Sequence, residues 1–146
     1  MLRKLGRVTG LTLVVAMAVW MAPIAAGASS ATTVPKIVVL TNASSGSTVL
    51  ATKGELVVVE LTGGPIQWSE ASVVSPSAVS PVLAKVSGSR SATGSSRTTF
   101  RVVGSGLAKL DALGTPRCPT AGGCPQYVVL WQATVVVPVV DPPSAA

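Results

Sequence analysis

The 146-residue chain contains no histidine. This removes the commonest general base and the commonest metal ligand among the side chains. Ser-His-Asp triads and Cys-His dyads are therefore excluded. Gly-x-Ser-x-Gly and Ser-x-x-Lys are absent too, so other serine mechanisms lack their markers. Acidic residues are scarce: Glu55, Glu60, Glu70, Asp111 and Asp141 are the complete set. Glu55 and Glu60 have opposite parity in one expected strand, so they point to opposite faces and form no acid–base dyad. All five acids read as solvent-exposed strand or loop positions. Neither Gly63-Gly64 nor Gly104-Ser105-Gly106 precedes a helix start, which a phosphate cradle needs. The expectation is a non-enzyme with no catalytic residue, no cofactor and no metal.

Aromatics are few: three tryptophans, one tyrosine and one phenylalanine. From Ser29 onward basic residues are scattered singly, with neither a cationic run nor interleaved aromatics, so nucleic-acid binding is not expected. Only two cysteines occur, Cys118 and Cys124, in Cys-Pro-Thr-Ala-Gly-Gly-Cys-Pro. In an exported chain an even pair reads as a disulfide. The competing readings are a free thiol pair and a metal site, and the latter would need ligands that a histidine-free chain does not supply. Closing so short a loop contributes about 2 kcal/mol in the chain-entropy model, so the bridge shapes its loop more than it holds the fold.

The start of the chain is informative. Arg3, Lys4 and Arg7 make a basic head, residues 11–22 are an apolar run, and Pro23 ends it. Ala26-Gly27-Ala28 then offers small residues where a signal peptidase reads them. The expectation is a signal-peptide helix over 1–28, cleaved after Ala28. The competing reading is a retained anchor, although the run of about a dozen residues falls short of the roughly 20 that a span needs. Cleavage would remove three cations and leave eight basic residues against five acidic ones. It would leave no stable membrane span, and a secreted or cell-envelope protein.

From Ser29 onward valine dominates, with 21 valines and 12 threonines. Branching at Cβ suits a pleated strand better than a helix. Apolar runs separated by Gly, Ser, Pro and Asn clusters place strands over 37–41, 48–52, 55–61, 97–103, 107–113 and 126–137, while Ile66-Gln67-Trp68 begins either a short strand or an extended connection. A further stretch, 79–86, carries Pro81 and is at best an edge strand. The expected fold is all-β: a single antiparallel immunoglobulin-like β-sandwich of about seven or eight strands. It would occupy 37–138, after an N-terminal extension over 29–36 and before a disordered tail over 139–146. In the last strand Tyr127, Val129, Trp131, Ala133 and Val135 share one face, expected to be the core face. Trp68 and Phe100 are expected in the core with them.

The run Lys53-Gly54-Glu55-Leu56-Val57-Val58-Val59-Glu60-Leu61, followed by Pro65 and Trp68, resembles the chagasin-like cysteine-protease inhibitors. Gly94, Arg97-Thr98-Thr99-Phe100, the turn 104–106 and the strands 107–113 and 126–137 follow in the same order. The resemblance covers most of 37–137 and implies an immunoglobulin-like fold that inhibits papain-type proteases through three loops. The inhibitory motifs themselves depart from the family's. Its first loop reads Asn-Pro-Thr-Thr-Gly, where this chain has Gly63-Gly64-Pro65-Ile66-Gln67 and keeps only the proline. Its third loop carries Arg-Pro-Trp, where this chain has Pro116-Arg117-Cys118-Pro119. The second, Gly-rich loop has a counterpart in 87–96, with Arg90 and Gly94.

The longest irregular segments, 62–67, 87–96 and 114–125, are thus the candidate binding loops, since rigid scaffolds carry binding groups there. Their candidate contacts are Gly63, Gly64, Pro65, Ile66, Gln67, Arg90, Gly94, Pro116 and Arg117. The expected activity is an exported, non-catalytic binding module acting on a protein partner, either a protease or a cell-envelope protein. The alternative is a chagasin-like inhibitor of papain-type proteases.

Overall fold

A computed structural model describes residues 33–74, 80–118 and 122–141. The expected signal segment, the start of the 79–86 stretch and the end of the tail lie outside the described residues. Nine strands run in chain order: β1 Ile37–Thr41, β2 Thr48–Leu50, β3 Leu56–Leu61, β4 Ile66–Trp68, β5 Ser72–Val74, β6 Leu83–Arg90, β7 Ser96–Val102, β8 Gly106–Pro116 and β9 Val129–Val137. They form two sheets. One has the order β1-β3-β7-β6, and the other β2-β9-β8-β4 with β5 also pairing to β8. The fold is an immunoglobulin-like β-sandwich, with one strand more than the seven or eight expected. The extra strand is β5, three residues long and too short to show a period in sequence.

The sheets are mixed, not purely antiparallel. β1 pairs with β3 in parallel, and β2 pairs with β9 in parallel. The reason lies at residues 42–47, between β1 and β2. They carry the chain from one sheet to the other without reversing it. Trp131 Nε1 donates to the Thr41 carbonyl at 2.9 Å. Gly46 N–H donates to the Gln132 carbonyl at 2.6 Å, and Thr134 N–H to the Ser47 carbonyl at 2.9 Å. The crossing is thus tied to β9, and one continuous run supplies an edge to each sheet.

The core follows from period-2 alternation. Val57, Val59 and Leu61 of β3, Phe100 and Val102 of β7, Leu110 of β8, and Trp131, Ala133 and Val135 of β9 are all buried. Trp68 and Phe100 are core residues, as expected. Tyr127 is not, being 48% exposed, because β9 begins only at Val129 and Tyr127 lies on the connection before it. Glu55 also departs from expectation. It is 9% exposed, since it shares parity with Val57 and Val59, and its carboxylate accepts the Thr52 N–H at 3.0 Å. That hydrogen bond, with the Thr52 hydroxyl and the nearby Lys36 charge, lowers its pKa against the opposing effect of burial.

Candidate functional site

The three candidate loops meet at one end of the sandwich, although each is shorter than its composition suggests. Segment 87–96 is mostly strand. β6 continues through Arg90, and β7 resumes at Ser96 opposite it, leaving only 91–95 as a hairpin loop. The Ser/Gly composition misleads because β6 is an edge strand whose residues after Leu83 are exposed, so nothing selects apolar side chains there. The ladder skips Val86 as a bulge, one of the devices that blunt a sheet edge. Ile66 and Gln67 lie in β4, and Gly114 and Pro116 in β8, where Ile66 pairs with Pro116 and Gln67 with Thr115. Among the described residues, 62–65, 91–95, 117–118 and 122–128 remain irregular, and Cys118 and Cys124 of the last two stretches form a disulfide.

Backbone hydrogen bonds tie these segments together. Gly63 N–H donates to Ser95 Oγ at 2.8 Å. Gly64 N–H donates to the Thr93 carbonyl at 3.3 Å, Trp68 N–H to the Gly94 carbonyl at 2.9 Å, and Arg117 N–H to the Pro65 carbonyl at 2.8 Å. The 62–65 loop is anchored from its other side by Asn42, whose Oδ1 accepts the Thr62 N–H at 2.7 Å. Trp68 Nε1 donates to the Thr62 carbonyl at 3.0 Å, so a core tryptophan also fixes the loop's first residue.

Two glycines make this approach possible. A Cβ on Gly63 would lie 2.4 Å from the Thr93 carbonyl oxygen. Gly94 has φ +88°, and a Cβ there would lie 2.7 Å from the Ile66 carbonyl oxygen. The loop that links the two sheets and the β6–β7 hairpin are therefore in backbone contact.

The two candidate arginines differ. Arg117 is not a free surface cation: its guanidinium donates to the carbonyl oxygens of Thr93 and Ala92. It serves as a clasp between the disulfide-bearing connection and the hairpin. Arg90, at the base of the hairpin, has no hydrogen bond or ion pair among the described residues. It borders a shallow groove with Gln67, Leu113 and Thr115. Beside that groove, Leu113 pairs across the ladder with Leu130, and both are exposed.

Asn42, Thr93 and Ser95 organise the site but were not among the sequence candidates. The pattern Ser91-x-Thr93-Gly94-Ser95 was the one available signal. Ser91 N–H donates to the Ser95 carbonyl, and Ser91 Oγ accepts the Ser95 N–H, as turn-forming hydroxyls do. Among the described residues no group of three or more Cys, Asp or Glu side chains could hold a metal ion. No helix among them is long and apolar enough to cross a membrane. Chemically, the described part of this end presents backbone carbonyls, hydroxyls, Arg90 without an ion pair and an adjoining apolar strip.

No protein-family model matches the sequence, and no curated protein matches it. Solved structures do resemble its fold. The cysteine protease inhibitor EhICP2 from Entamoeba histolytica superposes with a TM-score of 0.50 at 13% identity, over 70% of this chain and 96% of that one. Amebosin gives a TM-score of 0.43 at 18% identity, over 72% of this chain and all of amebosin. At 13% identity the likeness to the inhibitor is one of fold.

Proposed function

We propose that this chain is an exported, non-catalytic inhibitor that grips a papain-like cysteine protease with residues 62–65, 91–95 and the start of the connection after Arg117. In this reading residues 1–28 are an export leader removed after Ala28, and 37–138 form the working domain. The observation that carries it is the joining of the three loops by backbone hydrogen bonds and the Arg117 clasp. Loops already ordered lose little conformational entropy on binding, so their contacts convert more fully into affinity. The disulfide restrains the third segment in the same way. The fold shared with a cysteine protease inhibitor, over nearly the whole of that inhibitor, supports the same partner class.

Inhibition of this kind needs no covalent step. The loop end occupies the substrate cleft, and Gly63 and Gly94 let the loops pack against one another behind that surface. A second reading has its own support: the first loop keeps only Pro65 of the family motif, and Cys118-Pro119 stands where the family has proline and tryptophan. On that reading the same surface serves a different protein, such as a cell-envelope component.

Titrating papain with the purified protein separates the two. Residual activity should fall linearly and reach zero near one equivalent. Activity that persists at large excess overturns the protease reading and passes the loop end to the envelope partner, to be sought by pull-down.

A further inference from the structure

We propose that the end of the sandwich opposite the three loops carries an anion-binding groove for a phosphate-bearing ligand. β3 and β7 span the domain between the two ends: residues 62 and 95 lie at the loop end, and residues 55 and 101 at the other. There a groove of about 460 Å³ is bounded by Thr33, Val34, Lys36, Lys53, Glu55 and Arg101, among others.

The case rests on which cations are already satisfied. Arg97 pairs with Glu60 at 3.4 Å, Lys85 pairs with Glu70, and Arg117 is held by backbone carbonyls. Lys36 stands 3.8 Å from Glu55. Lys53, Arg90, Arg101 and Lys109 have no ion pair among the described residues. Of these four, Lys53 and Arg101 are the two that line one groove.

The ladder shows why Arg101 lacks a partner. Arg97 and Arg101 share the outer face of β7, but Arg97 sits opposite Glu60, whereas Arg101 sits between Leu56 and Ala84. Glu55, the one acid in the groove, is occupied. It accepts from Thr52 N–H, lies near Lys36 and is almost buried. Two positive charges thus remain uncompensated in a concave site, where a low-dielectric wall concentrates the field.

The backbone segments that carry the two cations are tied together. Gly54 N–H donates to the Val102 carbonyl, and Val102 N–H donates to the Glu55 carbonyl, both at 2.9 Å. These bonds clamp the turn bearing Lys53 to the strand bearing Arg101. A planar guanidinium beside a flexible ammonium matches a phosphate: the first offers two parallel donors, the second a point charge.

The test uses sodium tripolyphosphate as probe, titrated into the purified protein by calorimetry at low salt. Saturable one-to-one binding is expected, weakening as salt rises. It should fall at least tenfold in Lys53→Gln/Arg101→Gln and stay unchanged in Arg97→Gln/Lys109→Gln, which removes the same charge elsewhere. Circular dichroism verifies that both variants fold. No saturable binding, or equal loss in both variants, overturns the proposal. A second arm identifies the source of the phosphate. Sedimentation with phosphatidylglycerol vesicles but not phosphatidylcholine vesicles, lost in Lys53→Gln/Arg101→Gln alone, assigns it to a lipid headgroup. Tripolyphosphate binding without that vesicle effect assigns it to a soluble phosphate.

Discussion

Arg117 Nη1 donates to the Thr93 carbonyl oxygen at 2.8 Å and Nη2 donates to that of Ala92 at 3.0 Å, so one guanidinium spans two successive peptide carbonyls of the β6–β7 hairpin. The contact crosses from one sheet's loops to the other's. It also explains how the disulfide can influence a hairpin more than twenty residues away in sequence, because Arg117 immediately precedes Cys118.

Removing that clasp should loosen the hairpin without unfolding the sandwich. Arg117→Ala is expected to cost about 1 kcal/mol, since the freed carbonyls are exposed and can turn to water. Urea denaturation measures this. Amide exchange should accelerate at residues 91–95 and stay unchanged in β3 and β9. Arg117→Lys should recover only part of the effect, because an ammonium lacks the fork geometry.

Gly63 should tolerate no side chain. Gly63→Ala places a Cβ 2.4 Å from the Thr93 carbonyl oxygen and 2.6 Å from Ser95 N, both backbone atoms that cannot swing aside. A loss of about 1–3 kcal/mol is expected, as for overpacking elsewhere. Gly123→Ala is the control: a Cβ there meets nothing within 4 Å, so its thermal midpoint should match the parent's.

Trp131 and Tyr127 lie four residues apart on one connection-to-strand run but should behave oppositely. Trp131→Ala is expected to cost about 3–5 kcal/mol, the range for a buried large aromatic. It also deprives the Thr41 carbonyl of its donor at the sheet crossing. Tyr127→Ala should stay within about 0.5 kcal/mol, as surface changes do. Equal effects in paired denaturation curves would contradict the burial of Trp131.

Glu55 predicts the acid limb of stability. Its folded pKa lies below the ordinary 4.5, because the ionised carboxylate accepts from Thr52 and faces Lys36. A depressed carboxylate pKa stabilises the fold above the unfolded value, and that contribution is lost as pH falls through the folded one. The difference in melting temperature between the parent and Glu55→Gln should therefore be constant near neutral pH and shrink below about pH 4.5. A gap that widens on acidification would contradict this assignment.

Local chemistry carried much of the fold. The β-branched run of β3, the parity of β9 from Val129 onward and the bounds of β1 are legible because strand alternation is a property of neighbouring residues. The three irregular segments could be located for the same reason, as gaps between such runs. β6 was partly hidden, because an exposed edge strand needs no apolar pattern and its Ser/Gly residues imitate a loop.

The tertiary structure decided everything that depends on residues far apart in the chain. The parallel placement of β1 and β2 rests on contacts with β9, among them Trp131 with Thr41 across 90 residues. Asn42 reaches Thr62 over 20 residues, and Arg117 reaches Thr93 over 24. No local pattern encodes such pairings. They arise when two sheets pack face to face, which sets the loops of one against those of the other. Strand pairing within one sheet likewise leaves Arg101 opposite Leu56 rather than an acid, and the turn bonded to Val102 brings Lys53 to the same groove.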